Sequence, residues 1–169
     1  EEVPFEAALR RTQGLLTGRG PLCIRLTDVG RLRGTYMEKE IHEQPHAVAD
    51  TLLGRTDETG ALVLDELRIS EEQLRGVDKI TVVACGTAAY AGMVAKYAIE
   101  HWARIPVEVA LPHEFRYADP VLDEGTLVVS ISQSGETMDT LMAVRHAREM
   151  GALTVAICNT HGSSIPRES

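Results

Sequence analysis

Four short apolar runs dominate the second half of the chain. They cover residues 80–85, 107–111, 127–131 and 153–158. Each run is rich in β-branched residues and lacks polar alternation, which is typical of a strand buried on both faces of a parallel sheet. Segments 88–102 and 136–150 are long enough for helices, and Gly151 is the predicted C-cap of the second. Alternating strands and helices predict an α/β fold, a three-layer αβα sandwich with a parallel sheet.

The region before residue 79 carries weaker signals. Residues 37–54 have helical spacing, but a proline inside a helix removes a hydrogen bond and clashes with the preceding turn. We therefore predict an N-terminal helical extension in two pieces, 37–43 and 45–53, with Pro45 at the start of the second. A turn is expected at 56–60. Ser70 followed by Gln73 resembles a capping box at another helix start.

Bulk composition narrows the class of protein. The length of 169 residues fits one domain, and the net charge of −8 argues against nucleic acid or an anionic membrane surface as partner. The sequence has no apolar run of about 20 residues, so we predict no membrane span. We also expect no export signal at its N-terminal end. The three cysteines form no C-x-x-C pair, so we expect a reduced, cytoplasmic protein without a disulfide framework.

Small polar residues follow the first and third apolar runs, at 85–87 and 130–137. In open α/β sheets, ligands bind beyond the carboxyl ends of the strands, at helix N-termini. A helix start offers unpaired N–H groups and a positive dipole end, which bind phosphate without a basic residue. Hydroxyl or amide donors would come from the side chains of Ser132, Gln133, Ser134 and Thr137. The second segment therefore predicts the phosphate site of a small phosphorylated sugar.

Each of these segments also has a purely structural interpretation. Ser134 could simply cap the following helix, with the neighbouring residues forming a turn. The first segment, which contains Gly86 and Thr87, could be only a tight strand-to-helix turn. Neither matches a dinucleotide fingerprint or a P-loop.

Other motifs give no active site. His42 to His46 matches H-E-x-x-H, but that zinc motif needs one unbroken helix, and Pro45 is expected to break it. No G-x-S-x-G elbow occurs. Glu136 and Asp139 lie where a helix dipole favours acids, so they do not indicate acid–base chemistry. We expect no metal site and no catalytic residue in this chain.

Taken together, these residues resemble the sugar isomerase (SIS) domain. The carrying motifs are C-G-T at 85–87 and S-Q-S-G-E-T-x-D-T at 132–140. With K-E-I-x-E-Q-P at 39–45, the chain looks like the isomerising glutamine–fructose-6-phosphate aminotransferases, the glucosamine-6-phosphate synthases. We interpret 37–169 as their first SIS domain, truncated at its C-terminus, and 1–36 as an unassigned extension or linker.

The resemblance implies a function for the parent enzyme. Glutamine would supply ammonia in one domain, and fructose 6-phosphate would be aminated and isomerised to glucosamine 6-phosphate in another. The phosphate contacts it implies are Ser132, Gln133, Ser134 and Thr137, with Thr87 and Gly86 lining the same pocket. The implied partners are the glutaminase domain, a second SIS domain and a second copy in a homodimer. No metal or organic cofactor is implied.

Three departures from the family pattern affect this interpretation. Ala88 replaces the usual serine after C-G-T, which removes one hydroxyl contact. The glutaminase half and the second SIS domain, where the acid–base residues are expected, are not in this sequence, so the fragment is expected to be inactive alone.

A stand-alone sugar-phosphate sensor or regulatory SIS module without catalysis remains the alternative, as does a remnant whose helix start is merely capped.

Overall fold

The computed structural model describes residues 36–64 and 66–169, and these fall into two units. Residues 36–64 belong to one unit, and Glu66–Ser169 form the other. The predictions for residues 1–35 lie outside the described part of the chain. The domain boundary at residue 37 stays a prediction.

A four-stranded sheet forms the centre of the second unit. Its strands are β1 (Lys79–Ala84), β2 (Val107–Ala110), β3 (Thr126–Ser132) and β4 (Leu153–Cys158). The spatial order is β2-β1-β3-β4, and all three pairings are parallel. The predicted strands and parallel sheet are confirmed, with strand ends that differ from the prediction by no more than one residue.

The described helices comprise one in the first unit and five in the second. They are α1 (Tyr36–Leu52), α2 (Glu71–Arg75), α3 (Thr87–Trp102), α4 (Pro112–Tyr117), α5 (Met138–Glu149) and α6 (Ser164–Glu168). The two predicted crossover helices are confirmed as α3 and α5, whereas α4 and α6 were not predicted. None of the helices in the described residues is long and apolar enough to cross a membrane.

The helices of the second unit cover both faces of the sheet. On one face, Val82 belongs to an apolar cluster with Ile99 of α3. On the other, Val83 and Val128 pack in a cluster with Phe115 of α4 and Ala147 of α5. Because successive strand residues point to opposite faces, neighbouring valines of β1 serve different layers. The predicted three-layer αβα arrangement is confirmed.

Burial on both faces, expected for every strand, holds fully only for β1. All of its residues after Lys79 are buried, whereas β3 alternates between buried and half-buried positions. The residues of β4 are half-buried or exposed. In the described sheet, β4 has a neighbour on one side only, so fewer side chains surround it.

The outer edge of β2 is bonded to side chains of α3. Both backbone polar groups of Val107 are used: its N–H donates to Oε1 of Glu100 at 3.0 Å, and its carbonyl accepts from Nζ of Lys96. Lys96 and Glu100 also form an ion pair at 2.9 Å, one helical turn apart. These contacts lower the pKa of Glu100, chiefly through the Val107 N–H and then through Lys96.

The C-cap of α5 lies one residue before the predicted one. Met150 is the C-cap, and Gly151 follows it with φ of 88°. The Gly151 N–H donates to the Arg148 carbonyl at 3.0 Å, and the Ala152 N–H to the Ala147 carbonyl at 3.1 Å. This pair of bonds is a Schellman motif, in which glycine occupies the position after the cap.

Helix α1 corrects the prediction of two helical pieces. It runs unbroken from Tyr36 to Leu52 with Pro45 inside, so Pro45 does not begin a helix. Proline leaves the carbonyl four residues earlier, that of Ile41, without its helical donor. No residue of α1 is buried, and Ile41 is 53% exposed, so water can bond that carbonyl.

The other local signals of the N-terminal region are confirmed. Asp57 Oδ1 accepts hydrogen bonds from the hydroxyl of Thr59 and the N–H of Ala61 in the predicted turn. These bonds lower the pKa of Asp57. At α2, Ser70 and Gln73 form the expected reciprocal capping box.

Candidate functional site

The sheet order creates a crevice between β1 and β3. From β1 the chain crosses to β2 on one side, and from β3 it crosses to β4 on the other. The connecting helices α3 and α5 lie on opposite faces. Ligands of open α/β sheets bind at such a switch point, outside the carboxyl ends of the two strands. Ala84 pairs with Ile131, so the turns that follow both strands emerge at this same edge.

The turn after β3, residues 132–137, is built around Ser132. This residue is 6% exposed, and its Oγ accepts the N–H of Gly135 at 3.0 Å. The same Oγ lies 3.5 Å from Oγ1 of Thr137. A single buried hydroxyl therefore holds the fold of the turn and lies beside Thr137, the residue just before α5.

Thr137, and not Ser134, is the N-cap of α5. The hydroxyl of Thr137 makes no capping hydrogen bond. Ser134 is exposed, and its Oγ accepts the N–H of Glu136 at 3.2 Å, before the helix begins. The structural interpretation of Ser134 as a helix cap is therefore wrong. The first N–H groups of α5 have no carbonyl acceptor within the helix, and no side chain of the N-cap occupies them.

Gly135 lets the turn approach the loop that follows β4. Its φ of 65° lies in the left-handed region. A Cβ atom at this position would lie 1.9 Å from Oγ of Ser163. The Gly135 carbonyl accepts the N–H of Ile165 at 2.9 Å, and the Gln133 carbonyl accepts the hydroxyl of Thr160 at 3.1 Å. The two segments are packed and bonded along the length of the turn.

The turn after β1 carries Gly86 and Thr87, both exposed. Gly86 is the N-cap of α3 with φ of 59° and ψ of −138°, and no side chain caps this helix. The Ala89 N–H donates to the Gly86 carbonyl at 3.1 Å. This is the tight strand-to-helix turn of the structural interpretation, and its position also suits a pocket wall.

The sequence therefore named residues of both turns that flank the crevice, but their role in binding stays a prediction. It missed the loop after β4, residues 159–163, although Ser132 pairs with Cys158 and so places that loop beside the turn 132–137. The missed signal is the same one used at the other strands. A small polar run, N-T-H-G-S-S, follows an apolar strand.

The reason for rejecting the H-E-x-x-H motif was wrong. His42 and His46 lie on one unbroken helix, four residues apart, which is the spacing that the motif requires. Within residues 36–64 and 66–169, however, no group of three or more His, Cys, Asp or Glu side chains is arranged to hold a metal ion. A two-histidine spacing alone does not complete a zinc site.

Comparison with known families settles the class of domain. The SIS domain model matches residues 73–169, which is more than half of the chain. The chain belongs to the SIS domain family. The match covers all four strands of the sheet and both turns at the crevice.

Known proteins similar to this SIS domain carry aminotransferase names. The glutamine–fructose-6-phosphate aminotransferase [isomerizing] of Corynebacterium glutamicum is 75% identical over 136 residues, covering 80% of this chain. That of Streptomyces coelicolor is 71% identical over 135 residues, again 80% of this chain. Each match covers 22% of the relative, so the chain spans about a fifth of the length of these curated relatives.

A solved structure agrees with these sequence matches. The C-terminal domain of glucosamine-fructose-6-phosphate aminotransferase from Francisella tularensis has a TM-score of 0.72 and 46% sequence identity. The alignment covers 79% of this chain and 37% of that one. The resemblance noted from the sequence motifs is confirmed.

Proposed function

We propose that this SIS domain binds the phosphate of fructose 6-phosphate at the turn 132–137, as part of a glutamine–fructose-6-phosphate aminotransferase. The main supporting observation is that the N-terminus of α5 lies at the switch point and that the Thr137 hydroxyl makes no capping hydrogen bond. Four features favour binding of an anion at this helix N-terminus: the helix dipole, the unpaired N–H groups, the Gly135 turn and the nearby hydroxyls.

The proposed contacts divide between the two turns. Ser132, Ser134 and Thr137 would offer hydroxyl donors, and the exposed Gln133 an amide. Their backbone N–H groups would add to these. Across the crevice, the N–H groups of the turn after β1, at Gly86 and Thr87, would line the sugar side of the same pocket; these two residues complete the proposed set.

The reaction itself is proposed for the longer enzyme. There the amide nitrogen of glutamine would be released as ammonia, and the carbonyl of fructose 6-phosphate would accept it, with isomerisation to glucosamine 6-phosphate. The glutaminase domain and a second SIS domain would supply the catalytic groups, and a homodimer is the proposed assembly. No metal or organic cofactor takes part in this scheme.

We also propose a reducing, cytoplasmic location. Cys85 and Cys158 are free thiols in the described residues, as a reducing compartment would keep them. A stand-alone sensor is the less favoured function, because relatives at 67–75% identity bear the aminotransferase name.

Calorimetric titration of the chain tests the proposed function. We expect saturable binding of fructose 6-phosphate and glucosamine 6-phosphate, and none of unphosphorylated fructose. Replacing Thr137 by valine keeps the shape of the side chain but removes a donor, and should weaken phosphate binding about tenfold. Equal affinity for fructose and fructose 6-phosphate, or no binding by folded protein, would contradict the proposal.

A further inference from the structure

Glu136 is an acidic residue inside a turn that is proposed to hold an anion. A carboxylate a few ångströms from a phosphate opposes binding by Coulomb repulsion. Glu136 also precedes the N-cap, Thr137, and so lies outside the first turn of α5, where Asp139 is the acid. The hydrogen bond that its side chain makes points instead to a structural role.

The Glu136 carboxylate points to α6 and not along its own helix. Its Oε1 accepts the backbone N–H of Ser164, the first residue of α6, at 2.8 Å. Hydrogen bonds from the hydroxyl and the N–H of Ser164 lower the pKa of Glu136, with a further contribution from the charge of Arg167. The groups that stabilise the negative charge thus lie in α6.

Helix α6 is itself held at its other end. Arg145 of α5 forms a two-pronged ion pair with Glu168, with both N–O distances at 2.5 Å. Arg148 donates to the Glu168 carbonyl at 2.7 Å. Planar, bidentate pairs of this kind fix geometry as well as adding attraction. α6 is therefore a fixed anchor against which the turn can be held.

Three bonds join the turn to this anchor and its preceding loop. Two use backbone carbonyls of the turn, which accept from Thr160 and Ile165. The third is the bond of Glu136, the residue directly before the N-cap Thr137. The first two hold the middle of the turn, and Glu136 holds its last residue before the N-cap.

We propose that Glu136 is a positioning residue for the phosphate turn, which it clamps to the first N–H of α6. The clamp orients the N–H groups at the start of α5 toward the bound phosphate before the ligand arrives. This inference rests on the proposed function. A turn fixed in advance avoids the entropy cost of ordering on binding.

Two substitutions at the residue separate clamping from charge. Glu136→Gln keeps the acceptor oxygen and removes the charge, so we expect affinity for fructose 6-phosphate within about threefold of the unmodified chain. Glu136→Ala removes the acceptor, and we expect binding to weaken about tenfold or more. Calorimetry gives the affinity, and thermal unfolding shows that each variant is folded. Recovery by glutamine of what alanine loses, with both variants folded at the assay temperature, assigns the effect to the hydrogen bond and not to the charge.

The matched control is Glu124→Ala. Glu124 is an exposed carboxylate in the loop before β3, at the opposite end of that strand. The same change of charge at this position should leave the affinity for fructose 6-phosphate unchanged.

A variant on the other partner tests the same bond. Ser164→Pro removes the donated N–H at the first helical position, where proline is well tolerated. The preceding Ser163 has φ of −68° and ψ of 169°, an extended conformation compatible with a following proline. We expect Ser164→Pro to weaken binding as Glu136→Ala does, and the double variant to be no weaker than either single one.

The outcomes distinguish a failure of this inference from a failure of the proposed function on which it rests. If the unmodified chain binds no phosphorylated sugar, the proposed function fails. If it binds but Glu136→Ala and Ser164→Pro bind equally well, only the clamp is refuted. Tighter binding by both Glu136→Gln and Glu136→Ala would show that the carboxylate merely repels the phosphate. Should Glu136→Ala not fold, Ser164→Pro gives the decision.

Discussion

The two turns at the crevice are neighbours, yet the structure fixes them in different ways. The turn after β3 is held from within by Ser132 and from outside by Thr160 and Ile165. The turn after β1 is exposed, and a Cβ atom on its Gly86 would meet nothing within 4 Å.

Under the proposed function, this difference would separate two tasks within one pocket. A rigid turn suits the phosphate, whose size and charge are the same in every sugar phosphate. An open turn suits a part of the site that the sugar or another domain completes. Substitutions in the first turn should therefore change both stability and binding, whereas those in the second should change binding far more than stability.

Gly135→Ala should give the largest effect. It combines left-handed backbone strain with overlap against Ser163, so we expect a loss of about 3–5 kcal/mol in the free energy of unfolding. Gly86→Ala has backbone strain but open space, and should cost about 1–3 kcal/mol. Urea unfolding measures both. A loss at Gly86 equal to that at Gly135 would remove the proposed contrast between the turns.

The next contrast uses side chains. Ser132→Ala leaves the buried N–H of Gly135 without its acceptor and should lower the free energy of unfolding by about 1–3 kcal/mol. Thr87→Ala, at an exposed position, should change it by less than about 0.5 kcal/mol. Both variants should weaken binding of fructose 6-phosphate in calorimetry. The contrast fails if Thr87→Ala destabilises the fold as much as Ser132→Ala.

Thiol reactivity compares the ends of β1 and β4. Cys85 is exposed, whereas burial raises the pKa of the Cys158 thiol. Alkylation near pH 8 should therefore modify Cys85 about tenfold faster, because the thiolate is the reactive form. Peptide mass spectrometry after timed iodoacetamide treatment resolves each site. Equal rates at the two cysteines would show that the end of β4 is as open as that of β1.

The smallest expected effect is a pH dependence at Glu136. Its folded-state pKa is lowered from 4.5, so its stabilising contribution is present above that value and is lost as pH falls through the folded pKa. Glu136→Gln should therefore lose less stability than the unmodified chain between about pH 6 and pH 3.5. Urea midpoints across this range measure the difference. Glu124→Gln is the control, and an identical acid profile for all three proteins would contradict a paired carboxylate.

The sequence predicted the sheet well because buried parallel strands are continuous apolar runs. Leu153–Cys158 was located to the residue, and the small polar residues after β3 marked the turn at the crevice. These signals are local, so a single sequence carries them.

The contacts around the turn could not be predicted in the same way. The bond between Glu136 and Ser164 joins residues 28 positions apart, and it depends on the pairing of β3 with β4 and on α6. The helix break at Pro45 was predicted from a general rule. It failed because no residue of α1 is buried, so the carbonyl that loses its helical donor can stay open to solvent.

The hydrogen bonds at Val107 affect how readily separate chains can aggregate through the sheet edge. An edge strand with unused N–H and C=O groups is a template for adding another strand, and so for edge-to-edge aggregation. Lys96 and Glu100 occupy both groups of Val107 at the rim of the sheet. Helix α3, which covers one face of the sheet, thus also blocks this part of the sheet edge. The oppositely charged pair there hinders pairing with a strand of another chain.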